Sequence, residues 1–260
     1  MCSNSFLQKT EWQSGCMMGN ERRNEMEKNI KGLLQNMGFR PIDPDGEFRF
    51  HCTMCGKCCI HREDILLNPQ DIFRMAGKLK LSAGGFMMRY CECYIGEDSK
   101  IPLVRLKPVG SVKRCPLLKN RKCMVHDAKP VVCAMFPIGR CIVMGLEAEG
   151  REEGSGIQYV INQTSCGDRS ETHKVRDWLQ SFGVPLEDSF FLKWQEVVFE
   201  MGAAFRKAET CVGDQIMEML WQTATEALYA NYDTEKEFLP QFEKNAQSLL
   251  EMLGKAFLEG

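Results

Sequence analysis

The segment HCTMCGKCC, residues 51 to 59, sets four thiols, Cys52, Cys55, Cys58 and Cys59, within eight positions. Nothing else in the chain limits the fold so strongly, because thiols at this density must bind metal, pair as disulfides or crowd a core. Cys52, Cys55 and Cys58 form two successive CxxC steps. Each step turns the chain so that two sulfurs reach one side, and bacterial ferredoxins use the same spacing to grip one iron-sulfur cluster. Three ligands for one site follow. Cys59 differs: neighbouring side chains usually diverge, so it is expected to serve a second site, a bridge or chemistry instead of joining Cys58 on one tetrahedral ion. The bland alternative for Cys59 is a small buried apolar residue.

Stability does not demand disulfides here. With 260 residues, 44% of them hydrophobic, the chain can build a core unaided. Fourteen cysteines would suit a secreted disulfide scaffold, but such scaffolds are short, and the opening residues hold no apolar run of signal-peptide length. No stretch approaches the roughly 18 apolar residues of a membrane span. The expectation is a cytoplasmic, reducing setting, where clustered thiols favour metal. The 33 basic and 35 acidic residues leave a formal charge of −2, which points to neither nucleic acid nor an anionic membrane.

Eleven of the fourteen cysteines lie between Cys52 and Cys166. That clustering predicts a loose tail over 1–20, an N-terminal helix and turn over 21–47, a cysteine-rich metal-binding core over 48–170 and a C-terminal helical region over 171–260. Met26, Ile30, Leu33, Leu34 and Met37 recur at helical spacing up to Gly38. Asn68 followed by Pro69 opens a second helix, and Ser82 caps a short one toward Tyr90. Residues 101–109, 139–148 and 156–164 read as strands, the last two joined by a long charged turn. From Thr172 the pattern turns helical. Val175, Trp178, Leu179 and Phe182 share one face, and Phe190, Phe191, Trp194, Val197, Val198, Met201 and Phe205 another. Runs from Val212 to Tyr229 and from Phe238 to Phe257 follow. The predicted class is α+β: a small irregular metal-bound cysteine core with a few short strands, covered by an N-terminal helix and a C-terminal helical layer.

Cys115, Cys123, Cys133 and Cys166 each lie beside Pro, Gly or a charged turn, outside any apolar periodic run, and are the natural additional ligands. Cys91 and Cys93 are one residue apart and Cys141 lies in a strand-like run, so these three are taken as structural. The order CxxCGxCC, an Asp-Ile helix, CPxL, a cysteine eight residues on, KPVVC, FP and finally Cys-Gly resembles the CxxCxxCC cysteine-cluster family, also called YkgJ-like. Pro116, Pro130 and Pro137 fall in register with it. The resemblance implies a zinc- or iron-chelating protein, a class often labelled iron-sulfur oxidoreductases. It implies the ligand set Cys52, Cys55, Cys58, Cys59, Cys115, Cys123, Cys133 and Cys166. His126 and Lys129 depart from the family pattern, where an aromatic and an arginine are usual.

Thiolates select zinc, copper(I) and iron-sulfur centres. Three thiolates in continuous spacing, with the rest scattered singly, favour an iron-sulfur cluster over zinc, since zinc ribbons usually present two separated CxxC pairs. Copper(I) is disfavoured because methionines such as Met201 and Met219 sit at core-like helical positions. His51, His61 and His126, with Glu63, Asp64 and Asp127, flank the thiols and are expected around the metal or in solvent instead of on it. Nucleotide, Walker and HExxH signatures are absent, as is the CxxxCxxC of radical-SAM enzymes. The leading expectation is an iron-sulfur protein in redox or electron transfer with an unknown redox partner or substrate. The alternatives are a zinc-stabilised interaction module and, through the flagellin lysine methylases, a methylase-like protein-modifying enzyme.

Overall fold

The computed structural model describes Gly32 and residues 39–142 and 157–257. Apart from Gly32, the helix expected over Met26 to Met37 lies outside the described residues, as do the N-terminal tail and the charged turn at 147–156. In chain order come β1 (Phe39–Pro41), β2 (Glu47–His51), a 3-10 turn (Lys57–Cys59), β3 (Leu66–Leu67), α1 (Pro69–Leu79), α2 (Ala83–Tyr90), β4 (Cys91–Ile95) and β5 (Pro102–Leu106). Next are β6 (Leu118–Lys119), β7 (Lys122–Cys123), a second 3-10 turn (His126–Ala128), α3 (Val131–Met135), β8 (Ile138–Ile142), β9 (Ile157–Asn162) and β10 (Asp168–Lys174). The remainder is helical: α4 (Val175–Ser181), α5 (Ser189–Ala208), α6 (Asp214–Thr225) running into a π turn (Glu226–Ala230), and α7 (Phe238–Phe257). Among the described residues every strand pairing is antiparallel. The class is α+β, as the sequence predicts. Among the described residues no helix is long and apolar enough to cross a membrane.

The chain divides into two compact units, each assembled from discontinuous stretches. One takes in Gly56–Val131 and the chain from Ser189 onward. In it β3, β5 and β4 form a sheet with β5 central, and β5 buries Val104 and Leu106 on its inner face. Asn68 caps α1 by accepting from Asp71 N–H at 2.8 Å while the Asp71 carboxylate accepts from Asn68 N–H at 3.3 Å, a reciprocal box that stops the chain fraying. Helix α5 buries Phe190, Trp194, Val197, Met201 and Phe205, and α7 buries Phe238, Phe242, Ala246, Leu249 and Leu253. Phe190 meets Phe242 at 5.1 Å between ring centres, and Phe73 of α1 meets Phe238 at 5.2 Å. Each buried ring contributes on the order of 1.5 to 3 kcal/mol, so the C-terminal helices are held on α1 by aromatic packing. Met219, expected in the core, is 63% exposed. Two residues after buried Met217, the helical rotation turns it outward.

The other unit contains residues 39–55 and 132–188. β9 lies between β1 and β8, and β2 pairs with β10. Phe48 and Phe50 alternate inward along β2 and both meet Trp178 of α4 edge-on at 5.8 Å. The Trp178 indole N–H donates to Met135 C=O at 3.0 Å, so the buried ring keeps its polar edge satisfied. The predicted helical turnover at Thr172 comes later, at Val175. Residues 172–174 extend β10 instead, in register with 49–47 of β2. β10 is almost wholly exposed and carries no inward alternation, so pairing alone makes it a strand.

Candidate metal centre

Four of the eight predicted ligands fall in the first unit. Gly56, at φ 74°, turns the chain into the 3-10 segment carrying Cys58 and Cys59, a left-handed conformation that glycine adopts without steric cost. The Cys58 and Cys59 sulfurs lie 3.8 Å apart. They do not diverge as expected, because a 3-10 turn sets successive side chains about 120° apart instead of on opposite faces. Cys115 is tied alongside, its N–H donating to Cys59 C=O at 2.8 Å. Cys123 is set by the β6–β7 hairpin, whose two tip residues, Asn120 and Arg121, have φ of 49° and 61°. Both values are left-handed, as in the tight turn that matches strand twist.

The backbone surrounds these thiols with donors. Burial pushes the Cys115 thiol up, against backbone N–H groups of Leu117 and Leu118 that favour the thiolate, while Cys123 and Cys58 nearby oppose its charge. Burial likewise raises Cys123, against the N–H of Val125 and the charge of Lys129, with Cys58 opposing. N–H groups two or three residues beyond each of these two cysteines thus offset part of the burial that favours the protonated thiol.

The other four ligands fall in the second unit. Cys52 is exposed, Cys55 and Cys133 are half-buried and Cys166 is buried. Cys55 and Cys166 sulfurs approach to 3.6 Å, and Cys166 N–H is held by Thr164 Oγ1 at 3.0 Å. Gly167 follows at φ 68°, where a Cβ would drive into the His51 carbonyl. The Cys-Gly pair therefore has a steric reason as well as a chemical one.

Among the described residues no three His, Cys, Asp or Glu side chains converge on one point that could hold a metal ion. Two pairs of sulfurs come into contact, Cys58 with Cys59 and Cys55 with Cys166. A tetrahedral ion with metal–sulfur bonds of about 2.3 Å separates its thiolates by about 3.8 Å, and the two sulfur pairs, at 3.6 and 3.8 Å, each span one such edge. A four-iron cubane takes one thiolate per iron and so spreads its cysteines by the width of the cluster. The donor chemistry fits a soft or borderline metal, and the pair spacing fits two thiolates on one ion.

The remaining candidates are otherwise engaged. Burial pushes Cys91 up to about 12, Cys93 faces Thr225 Oγ1 at 3.8 Å and Cys141 faces Gln158 C=O at 3.7 Å. His51 Nδ1 lies 3.3 Å from Asp168, while Glu63, Asp64 and Asp127 pair with Lys113, Arg62 and Lys78. Sequence reasoning missed Asp71. Its buried carboxylate accepts from Val131 N–H at 2.8 Å and from Arg74 at 3.0 Å, and Arg74 also donates to Lys129 C=O at 3.1 Å. The segment after Cys123 is thereby anchored to the start of α1. The visible signal was the capping pattern NPQD, which marks a helix start without revealing the longer reach.

Residues 51–167 match the model of the CxxCxxCC family, described as "Putative zinc- or iron-chelating domain". This is the family that the cysteine order resembles, and the matched stretch includes all eight candidate ligands. It supports metal binding of the zinc- or iron-chelating kind. The chain is also 31% identical over 93 residues to "Uncharacterized protein MJ0661" of Methanocaldococcus jannaschii, an alignment covering 34% of this chain and 44% of the relative. The chain thus spans less than half the length of that curated relative. No solved structure matches it.

Proposed function

We propose that this is a thiolate metal-binding protein holding zinc or iron in two tetrahedral centres. Cys58, Cys59, Cys115 and Cys123 would form one, and Cys52, Cys55, Cys133 and Cys166 the other. The observation that carries the reading is the pair of sulfur contacts at 3.8 and 3.6 Å, one inside each unit. Four thiolates on one ion close its coordination, so such a metal supplies folding free energy in place of an open catalytic position. The chain's own contribution is to set N–H groups near the Cys115 and Cys123 sulfurs, which partly offset the burial that keeps those thiols protonated until a metal displaces the proton. Reduced thiols of this kind suit the cytoplasm.

A second reading is an iron-sulfur protein in redox or electron transfer, favoured by the CxxCxxC spacing of Cys52, Cys55 and Cys58. Anaerobic purification followed by metal and acid-labile sulfide analysis separates the two. Two metal ions per chain without sulfide is the expected result. A brown protein with labile sulfide would instead establish the redox reading, and a chain that retains neither zinc nor iron would remove both.

A further inference from the structure

From Ser99 to His126 the chain carries eight Lys and Arg and no Asp or Glu, although the whole protein has a charge of −2. This segregation is built into structure around the Cys58, Cys59, Cys115 and Cys123 thiols. Val109 and Arg114 exchange backbone hydrogen bonds at 2.8 and 2.9 Å, closing a tight loop between them. That loop is stitched to the chain just after Cys59: His61 N–H donates to Val112 C=O at 3.0 Å, and Arg62 N–H to Lys113 C=O at 3.3 Å. The β6–β7 hairpin, which carries Lys119, Arg121 and Lys122, continues directly from Cys115.

Some of the positive charge is spent locally. Lys113 pairs with Glu63, Arg62 with Asp64 and Arg105 with Glu92. Among the described residues, Lys57, Lys107, Arg114, Lys119, Arg121 and Lys122 are exposed and have no acidic partner. Amid them stand two exposed apolar side chains, Val109 at 42% and Val112 at 48%. A small apolar centre within a charged rim is the make-up of a protein interface. The composition disfavours single-stranded nucleic acid, since residues 99–126 contain no Phe, Trp or Tyr on which a base could stack. Its exposed apolar side chains, Val109 and Val112, are not the Trp, Phe or Leu that anchor in a bilayer interface.

We infer that the 107–114 loop and the 118–123 hairpin form a docking surface for an acidic segment of a partner protein, next to the first thiol set. Complementary charge of this kind speeds encounter and sets orientation, and the two valines give the contact its register. The inference stands on the surface alone and holds whichever metal the thiols take.

The test uses full-length, metal-loaded protein and a short fluorescein-labelled peptide of Glu and Asp carrying leucines, read by fluorescence anisotropy at two ionic strengths. Wild type is expected to bind more weakly as salt rises. K107E/R114E should weaken binding at least about tenfold, and V112S a few-fold with the salt dependence kept. A control reversal outside residues 99–126, K193E in α5 with K236E in the turn before α7, should leave it unchanged, and each variant should keep wild-type metal content and thermal unfolding. Absence of peptide binding, equal binding by K107E/R114E, or tighter capture of duplex DNA or of phosphatidylserine vesicles through the same residues would each overturn the inference.

Discussion

Asp71 and Cys91 show how a single buried group carries consequences for its surroundings. Asp71 satisfies two backbone N–H groups and Arg74 at once, so Asp71→Ala leaves donors without an acceptor. The expected loss is roughly 2 to 3 kcal/mol, measured by denaturant unfolding, with faster release of metal to a chelator. Cys91, pushed up to about 12 from an ordinary 9.0, holds its proton in the folded chain. At pH 8 its thiolate fraction is about 1,000-fold below that of an ordinary thiol, so mass spectrometry after iodoacetamide treatment should find Cys91 unmodified in native protein and modified after unfolding. The linkage has a definite sign: the folded state keeps this proton more tightly, so the contribution of Cys91 to stability is fully present below pH 9 and is lost as pH climbs from 9 toward 12. Cys52, Cys55 and Cys58 stood out as candidates because CxxC spacing is local, whereas Cys115, Cys123, Cys133 and Cys166 stand singly and became candidates from their flanking turns and the family's cysteine order. Asp71 was not, since its partner Val131 is sixty residues away and no spacing rule spans such a gap.

Elements differ in how openly the sequence declares them. Helices α1, α5 and α7 were readable, because their caps and apolar stripes repeat with the helical period. Strands β6, β7 and β10 were not. The first two have only two residues each, too few for alternation to register, and β10 exposes nearly every side chain. The close approach of Cys58 and Cys59 was also hidden, because the 3-10 turn that produces it follows from Gly56 and not from any apolar pattern. Packing among the readable helices gives the next prediction. Phe242 is fully buried and meets Phe190, Trp194 and Phe238. Phe242→Ala should therefore cost about 3 to 5 kcal/mol, seen as a lowered midpoint of helical unfolding. A change below about 1 kcal/mol would mean that α7 is not held by this aromatic cluster.

At the scale of the whole molecule, metal and core should separate under chelation. The helices α5 and α7 bury their own aromatic residues, whereas the thiol-bearing segments 52–59 and 115–123 contain no aromatic residue. Metal-free protein is expected to keep most of its far-ultraviolet helical signal while new protease cuts open around 52–59 and 115–123; complete unfolding would show that the helices depend on the metal too. The two proposed thiol sets also lie nested along the chain, with Cys58, Cys59, Cys115 and Cys123 enclosed between Cys52 and Cys55 on one side and Cys133 and Cys166 on the other. Closing the inner loop costs less chain entropy and shortens what the outer set must then close. During synthesis the same nesting imposes a sequence of events, because the inner set is complete once Cys123 has left the ribosome while the outer set waits for Cys133 and Cys166. If the two sets bind metal as proposed, a chain stalled between those points would hold one finished centre, with Cys52 and Cys55 among the thiols left open to oxidation.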